Sequence, residues 1–344
     1  MSGRHAAEGA SRPAPARDGP RVVALGGGHG LAASLQALRQ LTPHLTAIVT
    51  VADDGGSSGR LRDELGVLPP GDLRMALAAL AGDDDWGRTW QALIQHRFAG
   101  DGALAGHAVG NLVLAGLTES TGDPVAALDA MARLVGAVGR VLPMSCVPLE
   151  IRAEVVGADP ADPTGRSEVI GQVAVATTLG AVAAIRLRPA APAACAESVA
   201  AVRRADWVVL GPGSWFTSVL PHLLVPELQA ALVETSARRL ICLNLSEQVG
   251  ETAGFSPETH LEVLAAHAPA LAVDVVLADE AAVGDPRGLM AAARAAGARL
   301  VLAAVARGDG SPRHHPDRLA QALARILGEH PTAVRGAAEA QAWR

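Results

Sequence analysis

Lysine and tyrosine are both absent from this 344-residue chain, and aromatic residues make up only 2% of it. Without lysine the protein has neither a Schiff-base lysine nor a phosphate loop ending in Gly-Lys-Ser/Thr. The scarcity of aromatic residues leaves few surfaces on which unpaired bases could stack. The net charge of −6, without long runs of one sign, also argues against nucleic acid as the main partner.

Cysteine and long apolar runs are scarce as well. Cys146, Cys195 and Cys242 are nearly 50 residues apart, which fits neither a metal site nor a disulfide framework, so we expect small buried thiols. No run of about 18 apolar residues is free of charge and proline, and residues 1–20 lack the apolar core of a signal peptide. We therefore expect a cytoplasmic protein without a membrane span.

An alternation of strand and helix patterns fills most of the chain. Residues 1–20, rich in Ala, Pro, Arg and Gly, indicate a disordered tail. From Arg21 onward, an apolar run at 21–25, a helical stripe at 31–41 and a second apolar run at 45–51 predict a parallel β-loop-α-β unit.

Further along, helical stripes occupy 71–136, and the broken alternation around 141–188 predicts a small antiparallel β excursion. Strand and helix patterns alternate again from 205 to 329. Alternation of this kind predicts an α/β fold with a Rossmann-like, doubly wound, mainly parallel sheet. We expect one nucleotide-binding domain at 21–330 and a C-terminal tail at 331–344.

Two glycine loops follow predicted strands, and ligands of such sheets bind at the carboxyl ends of the strands. Closely spaced glycines let backbone amides approach an anion at a helix N-terminus, although a tight structural turn is the alternative. The first loop is not a clean dinucleotide fingerprint, because Leu31 stands where the third glycine belongs. We predict phosphate binding by Gly26, Gly27, Gly28 and Gly30 of the first loop and by Gly211, Gly213, Ser214, Thr217 and Ser218 of the second.

The stretch VTVADDGGSSGRLRDELG (49–66) leaves the second predicted strand through two carboxylates. Asp53 lies 27 residues beyond Gly26, near the position from which an acid binds ribose in dinucleotide-binding folds. Side chains alternate along a strand, so Asp53 and Asp54 should diverge, one toward a sugar or a metal-bound phosphate and the other capping the glycine turn. The alternative is an Asx turn before a solvated helix. Amides, hydroxyls and charge suited to a phosphate follow in Gly55, Ser57, Ser58 and Arg60.

Other polar residues lie where a ligand could reach them, although each also has an ordinary structural explanation. Amide groups at a strand end can bind a base or a sugar, and an arginine can clamp a phosphate. Buried polar groups on an apolar helix need partners, which a ligand can supply. On these grounds the further candidates are Asp72, Arg74, His107, Asn111, Asn244, Gln248 and Arg313.

Several of these segments together are similar to one known family. The chain resembles the YvcK family, whose members are also called gluconeogenesis factors or UDP-N-acetylglucosamine-binding proteins. The resemblance covers residues 21–330 and is most specific at 49–82, and the family is related to the CofD phospholactate transferases. It is carried by VVALGGGHGLAASLQAL, TVADDGGSSGRLRDELGVLPPGDLRMALAALA, VVLGPGSWFTSVLPHLLVPEL and QVGETAGF.

The resemblance implies a CofD-like fold and a UDP-sugar ligand, either UDP-N-acetylglucosamine or UDP-glucose. It implies a cytoplasmic role in cell shape and cell-wall precursor control during gluconeogenic growth. Our first hypothesis is a regulator that binds the UDP-sugar without turnover. The partners we expect are the nucleotide sugar, cell-wall synthesis proteins and a second copy of the chain in a homodimer.

Two other activities stay open at this point. A CofD-like transferase would move a phospholactyl-type group from a nucleotide diphosphate, with Mg²⁺ held by Asp53 and Asp54. A nicotinamide dehydrogenase would use Asp53 on the ribose, but its glycine fingerprint is out of register. The chain departs from the family pattern at His29, Ser246–Glu247 and His315–Pro316. Pro316 replaces a threonine that is phosphorylated in some members, so we do not expect that form of control.

Overall fold

The computed structural model describes residues 19–248, 250–252 and 254–328. The predicted tail at 331–344, and the predicted N-terminal tail up to residue 18, lie outside the described residues. The strands of the described part are β1 (Val22–Gly26), β2 (Leu45–Val49), β3 (Arg140–Pro143), β4 (Glu150–Val156), β5 (Arg166–Ile170), β6 (Ala181–Arg188), β7 (Trp207–Leu210), β8 (Arg238–Cys242), β9 (Val275–Asp279) and β10 (Arg299–Ala303).

Seven of these strands form one sheet in the order β10-β9-β8-β7-β1-β2-β3, and every neighbouring pair is parallel. The chain moves outward from β1 through β2 to β3 and then returns to place β7 on the other side of β1. The strand order therefore reverses between β1 and β7, which is where open α/β sheets bind ligands. All residues of β1 and β7 are buried, which explains their continuous apolar sequences. The predicted doubly wound α/β fold is confirmed.

Helices flank this sheet and close its core. The helices of the described residues are α1 (Gly28–Leu38), α2 (Gly56–Leu65), α3 (Pro70–Leu80), α4 (Asp85–Gln95), α5 (Val109–Thr121), α6 (Pro124–Leu134), α7 (Gln172–Ala176), α8 (Ala196–Arg204), α9 (Pro226–Glu234), α10 (Pro257–His267), α11 (Pro286–Ala295) and α12 (Pro316–Leu327). A π-helical turn at Trp215–Val219 and a 3-10 helix at Leu220–Leu224 follow β7.

The local sequence explains how these helices begin and pack. Leu31, Leu35 and Leu38 of α1 recur at helical spacing and are all buried. Asp123 caps α6, since its carboxylate accepts a hydrogen bond from Val125 N at 2.8 Å, and a proline occupies the first turn. A capping aspartate followed by proline in the first helical turn is a local sequence signal for the start of a helix.

The small antiparallel sheet has the order β5-β4-β6 and begins later than predicted. The excursion was expected to start near residue 141, but Arg140–Pro143 forms the edge strand β3 of the main sheet. Val141 and Leu142 are 1% exposed and pair with β2 in parallel register. Burial beside β2 therefore outweighs the proline and glycine signals on which the expected boundary depended.

Residues 172–176 also differ from the expected pattern, because they form the short helix α7 and not a strand. The Asp54 carboxylate caps this helix by accepting a hydrogen bond from Val173 N at 3.0 Å. The cap comes from a loop more than a hundred positions away in sequence, so local alternation could not indicate it.

Cys195 and Cys242 are buried as expected, whereas Cys146 is exposed in the loop after β3. No single helix among the described residues is long and apolar enough to cross a membrane. Two consecutive segments, Trp215–Leu224 and Pro226–Glu234, meet that criterion only when taken together, and they are bent by 83°.

Candidate functional site

The two glycine loops touch each other at the switch between β1 and β7. Gly30 is required there, since a Cβ on this residue would lie 2.2 Å from the Pro212 carbonyl oxygen. Asn244, after β8, pairs with Gly213 through both its amide atoms, each at 2.9 Å from the backbone. The ends of β1, β7 and β8 are thereby held together. The same two backbone segments contain the other predicted glycines, Gly26, Gly27, Gly28 and Gly211.

A cavity of about 540 Å³ opens at these loops. Pockets of this size accommodate cofactors and other small ligands. Its lining combines backbone groups of both glycine loops, side-chain amides, small apolar side chains and two arginines. The polar lining residues are His29, Gln36, Gln91, Gln95, Asn244, Ser246, Glu247, Gln248, Arg307, Arg313 and His314.

The loop between β10 and α12 brings the two arginines to this cavity. Its ends are joined, because Arg307 N donates to the Arg313 carbonyl oxygen at 3.0 Å and Ala306 forms a β-bridge with His314. Within 19–248, 250–252 and 254–328, neither guanidinium makes a hydrogen bond or a salt bridge. Both charges are therefore available to an anion in the cavity.

His29 lies at the start of α1 and lines the same cavity. Burial, and then the charges of Arg313 and Arg74, lower the pKa of its imidazole. The ring is therefore neutral at physiological pH and can still donate or accept one hydrogen bond there.

The acidic loop lies beside the first glycine loop and begins after β2 has ended at Val49, so strand alternation does not apply to its two carboxylates. Asp53 Oδ1 accepts a hydrogen bond from Gly55 N at 2.9 Å, which closes the glycine turn. Asp54 instead caps α7 through Val173 N. The two carboxylates therefore have different backbone partners and do not form one shared pair.

Asp72, in the first turn of α3, is the acidic neighbour of Asp53. Its Oδ2 is enclosed and has no hydrogen-bond partner among the described residues. Burial, followed by the charge of Asp53, raises the pKa of Asp72 to about 7. A backbone hydrogen bond from Gly28 and the charge of Arg74 lower this pKa, but by less. A Cβ on Gly27 would lie 2.4 Å from Asp72 Oδ2. Asp72 thus connects the acidic loop to the first glycine loop.

Four other predicted residues form a buried chain of hydrogen bonds behind the acidic loop. Arg74 Nε donates to Asn111 Oδ1, Asn111 Nδ2 donates to Ser57 Oγ, and Ser57 Oγ bonds to His107 Nδ1, each at 2.9 Å. Burial is the largest cause of the lowered pKa of the His107 imidazole. It is also the largest cause that lowers the pKa of the Arg74 guanidinium to about 10. These bonds join α3 and α5 to the start of α2, so the four residues hold in place the helix that follows the acidic loop.

The remaining residues of the acidic segment also bind protein groups. Ser58 Oγ accepts a hydrogen bond from Gly71 N at 3.0 Å. Arg60 donates to the carbonyl oxygens of Ala103 and Ala105, at 2.7 and 3.0 Å, and so fixes the loop before α5. The structure places Ser58 and Arg60 outside the cavity lining.

The hydroxyls after the second glycine loop face a buried glutamate. Thr217 Oγ1 donates to Glu251 at 2.7 Å, Ser214 Oγ also bonds that carboxylate, and Phe216 N donates to it at 3.3 Å. Glu251 is only 4% exposed, so these contacts secure the segment that presents Gln248 to the cavity. Ser218 lies on the other side, near the backbone of Gly27.

Several lining residues were not predicted from the sequence, among them Arg307, Gln36 and Gln91. Arg307 follows the carboxyl end of β10, so the rule that selected the other strand ends could have found it. The glutamines lie on α1 and α4, and only the packing of those helices brings them to the cavity.

Comparisons with known proteins agree with this architecture. The family model described as 2-phospho-L-lactate transferase CofD matches residues 22–303. A relative in Mycobacterium tuberculosis (strain CDC 1551 / Oshkosh), whose name contains the term gluconeogenesis factor, is 58% identical over 305 residues, covering 88% of this chain and 89% of its own. The gluconeogenesis factor of Halalkalibacterium halodurans is 39% identical over 256 residues, covering 74% and 76% of the two chains. A crystal structure of a UPF0052 family member from Bacillus halodurans is similar with a TM-score of 0.78 at 33% identity, covering 88% of this chain and 98% of that one.

Proposed function

Because the chain belongs to the CofD family and is closely similar to gluconeogenesis factors, we propose that it binds a UDP-sugar in the cavity between its two glycine loops. The ligand is UDP-N-acetylglucosamine or UDP-glucose. The protein then acts as a cytoplasmic regulator without turnover, needed for cell shape and cell-wall precursor control under gluconeogenic growth. The protein regulates cell-wall synthesis proteins, and it does so as a homodimer.

One observation carries the proposal. Two arginines without a protein partner in the described chain face the same cavity as both glycine loops. A diphosphate needs backbone amides and charge together, and this cavity offers both at the N-terminus of α1. Its amide side chains supply the donors and acceptors with which a base and a sugar are recognised.

The described residues that line the cavity include no cysteine and no lysine, and Ser246 supplies their one side-chain hydroxyl. His314 lines the cavity, but burial lowers the pKa of this histidine to about 4, and Cys242 behind it is fully buried with its pKa raised to about 12. A thiol of that pKa is not a thiolate at neutral pH. These properties favour binding without turnover.

A CofD-like transferase is the second candidate, and the Asp53–Asp72 pair favours it. A carboxylate oxygen without a partner, next to a second carboxylate, is a donor set that Mg²⁺ prefers. If Mg²⁺ binds, Asp53 and Asp72 would hold it, whereas Asp54 is occupied at α7. The ion would neutralise charge on the diphosphate of the donor. The bond between its two phosphates would break, the phospholactyl-type group would pass to a hydroxyl of an acceptor molecule, and a nucleoside monophosphate would leave.

Calorimetric titration with UDP-N-acetylglucosamine, UDP-glucose and GDP, each with and without Mg²⁺, separates the two candidates. We expect saturable binding of a uridine sugar that does not require Mg²⁺. Binding of GDP alone, dependent on Mg²⁺ and lost in Asp72→Asn, would instead support the transferase. Asp63→Asn, at an exposed acid on α2, is the matched control for loss of one carboxylate.

A further inference from the structure

The Asp279 carboxylate, at the end of β9, accepts four backbone hydrogen bonds. Oδ2 accepts from Val305 N and Ala306 N, both at 2.8 Å. Oδ1 accepts from Ala281 N at 3.0 Å and from Ala282 N at 3.2 Å. The residue is only 3% exposed, so this carboxylate joins β9 to the segment after β10 from inside the protein.

The segment held in this way is the base of residues 306–314, which we term the arginine loop. Ala306 is fixed on both sides, because its N–H binds Asp279 and its carbonyl oxygen accepts from Arg318 Nη1 at 2.9 Å. His315 N closes the base by donating to the Val305 carbonyl oxygen at 2.8 Å. Beyond this base the loop is exposed, so the direction of its side chains depends on how the base is anchored.

The charge of Asp279 makes this anchor strong. Burial alone would raise the pKa of the carboxyl group, but the four backbone N–H donors outweigh burial and lower it. The group is therefore ionised at neutral pH, and hydrogen bonds to a charged acceptor are about twice as strong as neutral ones.

We propose that Asp279 is a positioning residue for anion binding, which holds the arginine loop so that Arg307 and Arg313 both face the cavity. The inference rests on the proposed function, because it assigns Asp279 a role in the same ligand site. Asp279 does not line that cavity. Its charge also raises the pKa of His314, which lines the cavity, against the larger effect of burial. The part of its effect that passes through the two arginines is measured by a double-mutant cycle.

The test is calorimetric binding of UDP-N-acetylglucosamine to Asp279→Asn, to Arg307→Ala/Arg313→Ala and to the triple variant. We expect Asp279→Asn to raise the Kd about tenfold in the wild-type background and less than about twofold when both arginines are absent. Asp285→Asn is the matched control, since Asp285 caps α11 through Arg287 N at 3.0 Å and makes no hydrogen bond to the arginine loop within the described part of the chain.

Other outcomes decide against the proposal. An unchanged Kd in Asp279→Asn overturns it, and so does a tenfold loss that persists without the arginines, because that loss would reflect the fold in general. If Asp279→Asn does not fold, Arg318→Ala replaces it, with an expected loss of about threefold that again disappears without the arginines.

The failure of the proposed function is recognised separately. If the wild type binds no uridine sugar, the proposed function is wrong, and the cycle is repeated with inorganic pyrophosphate. Pyrophosphate binding that weakens in Asp279→Asn supports the role of Asp279. Absence of pyrophosphate binding, or equal binding by both proteins, overturns it.

Discussion

Replacing Asp72 by asparagine should stabilise the protein, and the gain should grow as the pH rises. The enclosed carboxyl group has a pKa of about 7 in the folded chain, against 3.8 as its ordinary value. The folded state therefore holds the proton more tightly than the unfolded state, so the stability of the wild type falls as the pH rises from about 4 to about 7. Asparagine resembles the protonated acid in shape and cannot ionise, so this loss is absent from the variant.

The size of the effect follows from the shift. About 3 pKa units correspond to about 4 kcal/mol of unfolding free energy once the group is ionised. Part of that difference is already present at about pH 5, so the advantage of Asp72→Asn should widen by about 3 kcal/mol between about pH 5 and about pH 8.

Urea unfolding at both pH values measures this gap directly, with Asp63→Asn as the exposed control. A gap that stays constant with pH, or matches that of Asp63→Asn, would show that Asp72 is not held as a raised-pKa acid beside Asp53. The variant must be measured without ligand and without divalent ions, since either would stabilise the ionised wild type.

Three further predictions concern the glycine contact, the buried network and the metal. Gly30→Ala should weaken UDP-N-acetylglucosamine binding more than tenfold by calorimetry, because its Cβ would meet Pro212; equal binding would refute the close loop contact. Asn111→Ala should lower the unfolding free energy by about 2–4 kcal/mol in urea, since Arg74 and Ser57 lose a buried partner; a loss under about 1 kcal/mol would contradict this. Adding EDTA should leave the Kd for the uridine sugar unchanged, whereas a marked loss would favour the metal-dependent transferase.

Much of the fold could be predicted because its signals are local. The apolar runs that became β1 and β7 are buried on both faces, and burial of that kind leaves little choice of residue. The cap of α6 depends only on Asp123 and Pro124. In contrast, β3 and α7 are stabilised by distant partners, β2 in one case and the Asp54 carboxylate in the other.

The candidate site also combines residues that local sequence could indicate with residues that only tertiary packing brings together. Gly30 and Asn244 follow strands closely, so their place at the carboxyl edge could be predicted from the chain order. Arg313 was predicted from its place just ahead of the last helix. The sequence could not indicate that Asp53 would have Asp72 as its acidic neighbour in place of Asp54. That arrangement arises because α3 packs beside the first glycine loop, which is a tertiary contact without a local signal.

A crystal structure of the protein with UDP-N-acetylglucosamine tests the central claim most directly. The account predicts density for the diphosphate between the two glycine loops, in contact with Arg307 and Arg313 and with the amides near Gly30. A nucleotide bound elsewhere, with both arginines directed into solvent, would contradict it.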